Sequence, residues 1–163
     1  MVGGALRLLD IRAGERVVDL FCGLGNFSLP MARQGAEVVG MEGAEYLVRR
    51  ARENAELNGC GDRISFQTAD LFAVDQTALA SWGKFDKMLL DPPRNGAYAV
   101  VQALHRPYLP QRIVYVSCNP ATFARDAAVL VEKGYAFKAA GVMNLFAQTA
   151  HVESIGWFER GDT

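Results

Sequence analysis

Histidine, cysteine and surplus positive charge are all scarce in this chain. Its 163 residues carry two histidines, three cysteines and a formal net charge of −1. The cysteines, Cys22, Cys60 and Cys118, are far apart and form no C-x-x-C pair. That spacing argues against a disulfide framework and against a zinc site, and it fits a reducing compartment. The charge balance excludes a nucleic-acid surface advertised by a basic excess. No run of about twenty apolar residues is present, so no membrane span is expected. The start, MVGGALRLLD, lacks the basic opening and long apolar stretch of a secretory signal, and a cytoplasmic location is expected. There is no internal repeat, low-complexity tract or linker. What remains is an ordinary globular composition, 50% hydrophobic and 21% charged, at a length suited to one domain. Nothing suggests an obligate dimer, so a monomer is expected.

Strand-like and helix-like segments alternate along the chain. RVVDLF (16–21), EVVGME (37–42), ISFQT (64–68), FDKMLLD (85–91) and RIVYVS (112–117) read as strands. NFSLPMARQG (26–35), AEYLVRRARENAELNG (44–59), YAVVQALH (98–105) and PATFARDAAVLVEKG (120–134) read as helices, although Pro30 counts against the first turn of the first one. The apolar face of 44–59 is expected to hold Tyr46, Leu47, Ala51, Ala55 and Leu57. That of 120–134 is expected to hold Phe123, Ala127, Leu130 and Val131. YAFKAAGVMNLF (135–146) and HVESIGWFE (151–159) close the chain as two strands able to pair antiparallel. The alternation predicts an α/β fold whose mostly parallel, seven-stranded sheet is covered on both faces. The closing hairpin resembles the departure that marks Rossmann-like class I methyltransferases, which use S-adenosyl-L-methionine.

Chemistry first gathers at DLFCGLGNF (19–27). Gly23 and Gly25 allow a tight turn after the first strand and a close approach of backbone to a ligand. The third position of a G-x-G-x-x-G pattern is Ser28, which weakens the case for a dinucleotide. Asp19 suits a cationic or amino-bearing ligand better than phosphate. Glu42 ends the second strand, where an acid can accept hydrogen bonds from ribose hydroxyls. Together these favour S-adenosylmethionine over NAD, against the alternative of a plain turn with a solvated glutamate. Asp70, after the third strand, either approaches an adenine or caps the next helix.

Asp91 ends the fourth strand, and Pro92-Pro93 stiffen the loop behind it. An aromatic residue after D-P-P would point to amino-group methylation, but Arg94 holds that place. Cys118 lies between the fifth strand and a helix that Asn119 can cap and Pro120 can begin. The positive end of that helix favours a thiolate, so Cys118 is placed to act as a nucleophile. Cys22 and Cys60 read as small buried apolar residues. Glu153 stands among Val152, Ile155, Trp157 and Phe158, where burial would turn its carboxylate into a working base; the alternative is a glutamate facing water. His151 reads as structural.

DLFCGLGNF, VVGMEG, LLDPPR, VYVSCNPAT and HVES, in this order and spacing, resemble the uridine-C5 RNA methyltransferases, most closely those acting on large-subunit (23S) ribosomal RNA. The resemblance runs from about Gly14 to Glu159. It implies that Cys118 is the nucleophile, that Glu153 removes the carbon-5 proton, and that Phe21, Asn26, Glu42, Asp70 and Asp91 contact the cofactor. RNA is the implied partner, and no metal is required. Two departures stand out. Phe146 and Thr149 are kept from the family's F-P-H-T, but Ala147-Gln148 replace its Pro-His, and Asp91-Pro92-Pro93 is commoner in the transfer-RNA branch. Members are also longer, with an RNA-binding barrel, often an iron–sulfur cluster, and a central region. Residues 1–163 are therefore expected to be the catalytic domain alone, weakly active or inactive in isolation. Two rival readings stay open: an amino-group methyltransferase using the Asp91 loop, and a cofactor-binding domain without catalysis.

Overall fold

Val17, Val18 and Leu20 are wholly buried, and they form most of β1 (Arg16–Leu20). A strand with apolar residues on both faces needs cover on both sides, and this requirement organises the chain. The computed structural model describes residues 2–144 and 152–161. Around β1 stand β2 (Glu37–Glu42), β3 (Ile64–Thr68), β4 (Lys87–Leu90), β5 (Arg112–Ser117), β6 (Tyr135–Asn144) and β7 (Val152–Arg160). They make one seven-stranded sheet in the order β3-β2-β1-β4-β5-β7-β6. The first five strands run parallel, while β7 lies antiparallel to both β5 and β6. This is the sheet expected from the sequence, closing hairpin included.

The period-2 alternation of the strands splits the core into two layers. Val17, Val38, Leu89, Val114 and Val116 face one layer, with Leu9, Met31, Val48 and Ala51. Val18, Val39, Leu90, Ile113 and Tyr115 face the other, with Leu79, Val100, Val101 and Leu130. The first layer is covered by α1 (Val2–Leu9), α2 (Ser28–Arg33) and α3 (Glu45–Leu57), and the second by α4 (Gln76–Ser81), α5 (Tyr98–Ala103) and α6 (Pro120–Glu132). Among the described residues no helix is long and apolar enough to cross a membrane.

Several details depart from the sequence reading. Helices α1 and α4 were not anticipated. Helix α2 starts at Ser28, and Pro30 sits in its first turn, where a missing N–H costs no helical bond. On α3 the buried residues are Val48, Ala51 and Ala55, whereas Tyr46 is 63% and Leu57 85% exposed. On α6 the buried residues are Asp126, Val129 and Leu130; Phe123 and Ala127 pack at the edge of the core, and Val131 is exposed. Both terminal strands are present: β6 lies within the predicted 135–146, and β7 runs one residue past the predicted 151–159, to Arg160. Phe146, Ala147, Gln148, Thr149 and His151 lie outside the described residues.

The chain lays β2 and β3 on one side of β1, then crosses to lay β4 and β5 on the other. A crevice opens where the order reverses, at the carboxyl ends of β1 and β4, and open sheets of this kind bind ligands there.

Candidate functional site

One carboxylate ties the turn after β1 to the end of β2. Glu42, at the end of β2, accepts from the Gly23 N–H at 3.2 Å with Oε1 and from the Ala44 N–H at 2.9 Å with Oε2. Gly23 takes φ +53°, a conformation costly for any residue with a Cβ, and space is open where that Cβ would lie. Phe21 adopts φ +63° despite its bulk, a strained backbone held by its surroundings. Asp19 lies beneath the turn, fully buried, where Oδ2 accepts from Ser28 Oγ at 2.6 Å. Its Oδ1 has no partner among the described residues. Burial pushes Asp19 up to about 7; the Ser28 hydrogen bond opposes this, and the nearby Asp91 and Glu42 charges add to it. Asp19 therefore fastens α2 under the turn and is not part of the lining of the cleft beside it.

A cleft of about 840 Å³ opens beside this turn, within the range of small-molecule sites. Phe21, Glu42, Gly43, Asp70, Phe72 and Asp91 contribute to its wall, with Leu71, Pro92 and Pro93. The Phe21 and Phe72 rings stand 5.6 Å apart, tilted by 52°. Asp70 accepts from the Phe72 N–H at 3.0 Å, closing a turn that presents Phe72 to the cleft, so it is not a helix cap. The cap of α4 is Asp75, which accepts from the Ala78 N–H at 2.8 Å. Four of the predicted cofactor residues, Phe21, Glu42, Asp70 and Asp91, thus share one cleft. Gly23, Gly25 and the exposed Asn26 form the turn beside it and are not part of its lining. Thr68, Leu71 and Phe72 were missed from sequence, where they read as strand end and loop. Among the described residues no lysine or arginine lines the cleft. Aromatic walls with three carboxylates suit a heterocycle bearing hydroxyls and a positive charge, and they do not suit a pyrophosphate. S-adenosylmethionine, with its adenosine and its sulfonium and ammonium cations, fits this donor set.

The second half of the site lies where β4 and β5 end and the antiparallel β7 begins. Asp91 follows β4, and its N–H reaches the Leu20 carbonyl at 3.4 Å. Burial raises Asp91 to about 6, and the Glu153 charge adds to the shift, so the two carboxylates lie within electrostatic range. Burial also raises Glu153 itself, whose Oε2 is enclosed without a hydrogen-bond partner among the described residues. Cys118 follows β5 and is half-buried, whereas Cys22 and Cys60 are buried. Burial, with the Asp19 and Glu42 charges, pushes the Cys22 thiol well above its ordinary range, which leaves it unreactive. Next to Cys118, the Asn119 side chain caps α6 by accepting from the Ala121 N–H at 3.0 Å, and Pro120 begins the helix. The β5–β7 ladder ends at Ser117 and Ser154, so Cys118 and Glu153 occupy the next backbone positions on the two neighbouring strands. A second hollow, about 690 Å³, opens at the opposite edge of the sheet near Arg16, Glu37 and Arg63 and contains none of the candidate residues.

The chain has clear relatives. The sequence model for tRNA (uracil-5-)-methyltransferase matches residues 1–161. The protein named 23S rRNA (uracil(1939)-C(5))-methyltransferase RlmD in Neisseria lactamica is 65% identical over 159 residues, which is 98% of this chain and 35% of that protein. The chain thus spans about a third of the length of the curated relatives it matches. Among solved structures, the tRNA (uracil-54, C5)-methyltransferase of Pyrococcus abyssi, in complex with S-adenosyl-L-homocysteine, aligns with a TM-score of 0.78 at 32% identity. That alignment covers 96% of this chain and 37% of the other. Precorrin-6y C5,15-methyltransferase from Geobacter metallireducens also aligns with a TM-score of 0.78, but at 13% identity over 98% of this chain and 87% of that one, a likeness of fold alone.

Proposed function

Because the chain belongs to the tRNA (uracil-5-)-methyltransferase family, we propose that it moves a methyl group from S-adenosyl-L-methionine to carbon 5 of a uridine in ribosomal RNA. The observation that supports this reading is the strand register that sets a half-buried thiol just beyond β5 and, near the start of β7, a carboxylate with one enclosed oxygen that has no partner among the described residues, beside an acidic aromatic cleft. The choice of ribosomal RNA rests on the named relative at 65% identity.

Each residue has a task in this reading. Phe21 and Phe72 together offer the adenine an apolar wall, and Glu42 accepts from the ribose hydroxyls. Asp70 lies toward the adenine and Asp91 toward the cationic end of the cofactor. When bound there, S-adenosylmethionine supplies a methyl group in electrophilic form. Carbon 5 of uracil is a poor nucleophile on its own. Cys118, as thiolate, adds to carbon 6, and the electron pair displaced from the C5–C6 bond makes carbon 5 nucleophilic, with an enolate at the C4 oxygen. After methylation Glu153 takes the proton that carbon 5 still carries. The freed electron pair re-forms the double bond as Cys118 leaves. A carboxylate raised by burial is a better base for that step than an exposed one. The target base leaves its stack to reach the thiol.

Turnover by these 163 residues is slow in this account, because a net charge of −1 offers little attraction to phosphates. The test is transfer of tritiated methyl from S-adenosylmethionine to ribosomal RNA lacking the modification, followed by digestion to nucleosides. Label in 5-methyluridine supports the proposal. Label on an exocyclic amine supports amino-group chemistry by the Asp91 loop and overturns it.

A further inference from the structure

Asp126 is fully buried in α6, outside both the cleft and the Cys118 seam. A carboxylate inside a protein is costly unless well partnered, and such groups mark either a function or a fastening. Three donors converge on it, two from other segments and one from its neighbour in α6. The Ala97 N–H and the Tyr115 hydroxyl reach Oδ2 at 2.8 and 2.5 Å, and Arg125 Nε reaches Oδ1 at 3.0 Å. Tyr115 belongs to β5, is wholly buried, and stays protonated because burial and its bond to Asp126 push its pKa far up. Ala97 ends the loop that Asp91 begins.

The second half of that loop is bound to α6 and its cap. At the middle of the loop, the Arg94 carbonyl accepts from Asn119 Nδ2 and from Thr122 Oγ1, each at 3.0 Å. Asn119 is the cap residue next to Cys118. Farther on, the Asn95 carbonyl accepts from Arg125 Nη2 at 2.9 Å, and Asp126 takes the Ala97 N–H. Between them Gly96, at φ +80°, brings the backbone so close that an added Cβ would lie 2.7 Å from both Arg125 Nη2 and Asp126 Oδ2. The cap beside Cys118 and the arm behind Asp91 therefore share one frame, and its inner anchor is the Tyr115–Asp126–Ala97 junction.

We propose that Asp126 is a positioning residue for the nucleophile: through Tyr115 and Ala97 it sets where the α6 cap, and with it Cys118, stands relative to the Asp91 loop. This rests on the uridine reading above. Attack at carbon 6 needs the sulfur within a narrow range of distance and angle, and displacement by a fraction of an ångström slows such steps steeply. Asp126 touches neither base nor cofactor. Its loss slows the covalent step and spares binding.

The test follows the covalent step directly. The chain, its Asp126→Asn variant, its Tyr115→Phe variant and the double variant are each mixed with S-adenosylmethionine and RNA bearing 5-fluorouridine. Adduct formation is timed on denaturing gels over a range of RNA concentrations, and S-adenosylhomocysteine affinity is measured by calorimetry. The expected result is an adduct rate at saturating RNA lowered at least about tenfold in each single variant. Half-saturating RNA and calorimetric affinity stay within about twofold, and the double variant is no slower than the slower single one. Unchanged saturating rates overturn the positioning role alone. A parallel loss of rate, RNA binding and cofactor binding also overturns it, since that marks general loosening. Should Asp126→Asn fail to fold, Tyr115→Phe decides by the same readouts. If the unsubstituted chain, shown to bind both cofactor and RNA, forms no adduct, the uridine reading falls and the positioning role falls with it.

Discussion

Cys118 and Glu153 each stand one residue beyond the Ser117–Ser154 pair that closes the antiparallel β5–β7 ladder. Residues far apart in sequence thus become neighbours because the last strand inserts between β5 and β6. Division of labour between them is directly testable. Glu153→Gln keeps the shape and removes the base, so carbon-5 proton loss should fail after methylation. With ordinary uridine RNA and S-adenosylmethionine, this variant should retain covalently bound RNA on a denaturing gel, at least about tenfold more than the parent. Release of 5-methyluridine at the parental rate would remove Glu153 from the mechanism.

Glu42 is both a ligand candidate and the brace of the glycine turn, through Gly23 and Ala44. Glu42→Ala should weaken S-adenosylhomocysteine binding by about 2 kcal/mol or more, since it leaves two backbone donors and the ribose hydroxyls without their acceptor. Calorimetry measures this. Unchanged affinity would place the cofactor elsewhere.

Cofactor affinity should depend on pH through Asp91, raised to about 6 by burial and then by Glu153. A bound cation favours the ionised carboxylate. As pH falls through about 6, Asp91 becomes neutral and that attraction disappears. S-adenosylmethionine binding should therefore weaken several-fold between pH 7.5 and pH 5, roughly as one titrating group allows. S-adenosylhomocysteine, which lacks the sulfonium charge, should weaken less, and Asp91→Asn should flatten the difference. Equal pH dependence of the two ligands would contradict this placement.

Stability should fall with rising pH because of Asp19. Its ordinary value of 3.8 is raised to about 7 in the folded chain. Between those values the folded state binds the proton and the unfolded state has lost it, so stability declines as pH rises from about 4 to about 7 and is level above. Asp19→Asn still accepts from Ser28 and has no charge to bury. At pH 8 it should be more stable than the parent by on the order of 3 kcal/mol, with the gain gone at pH 4. Thermal melts at the two pH values measure the difference. A variant less stable at pH 8 would show that the carboxylate is needed for another reason.

Much of this was readable along the chain. β2, β3 and β5 occupy the predicted residues because each is a short run of β-branched and aromatic residues between turn formers. Helices α1 and α4 escaped notice for separate reasons. Gly3 and Gly4 weaken the helical signal of α1, and α4 buries only Leu79, too little for a periodic face. The face of α3 was misjudged because large Tyr46 and Leu57 outweighed Val48 in the reading, while the sheet accepts the side that small Ala51 and Ala55 let approach. Of the cleft, Glu42, Asp70 and Asp91 were legible because each falls at or just beyond the carboxyl end of a strand, whereas Phe21 was named only through the family resemblance. Phe72 read as loop. Asp126 was invisible because its partners, Ala97 and Tyr115, come from other segments, and an aspartate in a helix ordinarily reads as surface.

The central claim is a transient bond between Cys118 and the target uracil. RNA bearing 5-fluorouridine tests it, because fluorine at carbon 5 cannot leave as a proton and the adduct cannot resolve. The account predicts a denaturation-stable RNA–protein species, formed with S-adenosylmethionine, whose cross-linked peptide contains Cys118. Cys118→Ala should form none while binding S-adenosylhomocysteine as the parent does. An adduct that persists in Cys118→Ala, or none in a parent chain shown to bind both cofactor and RNA, would contradict it.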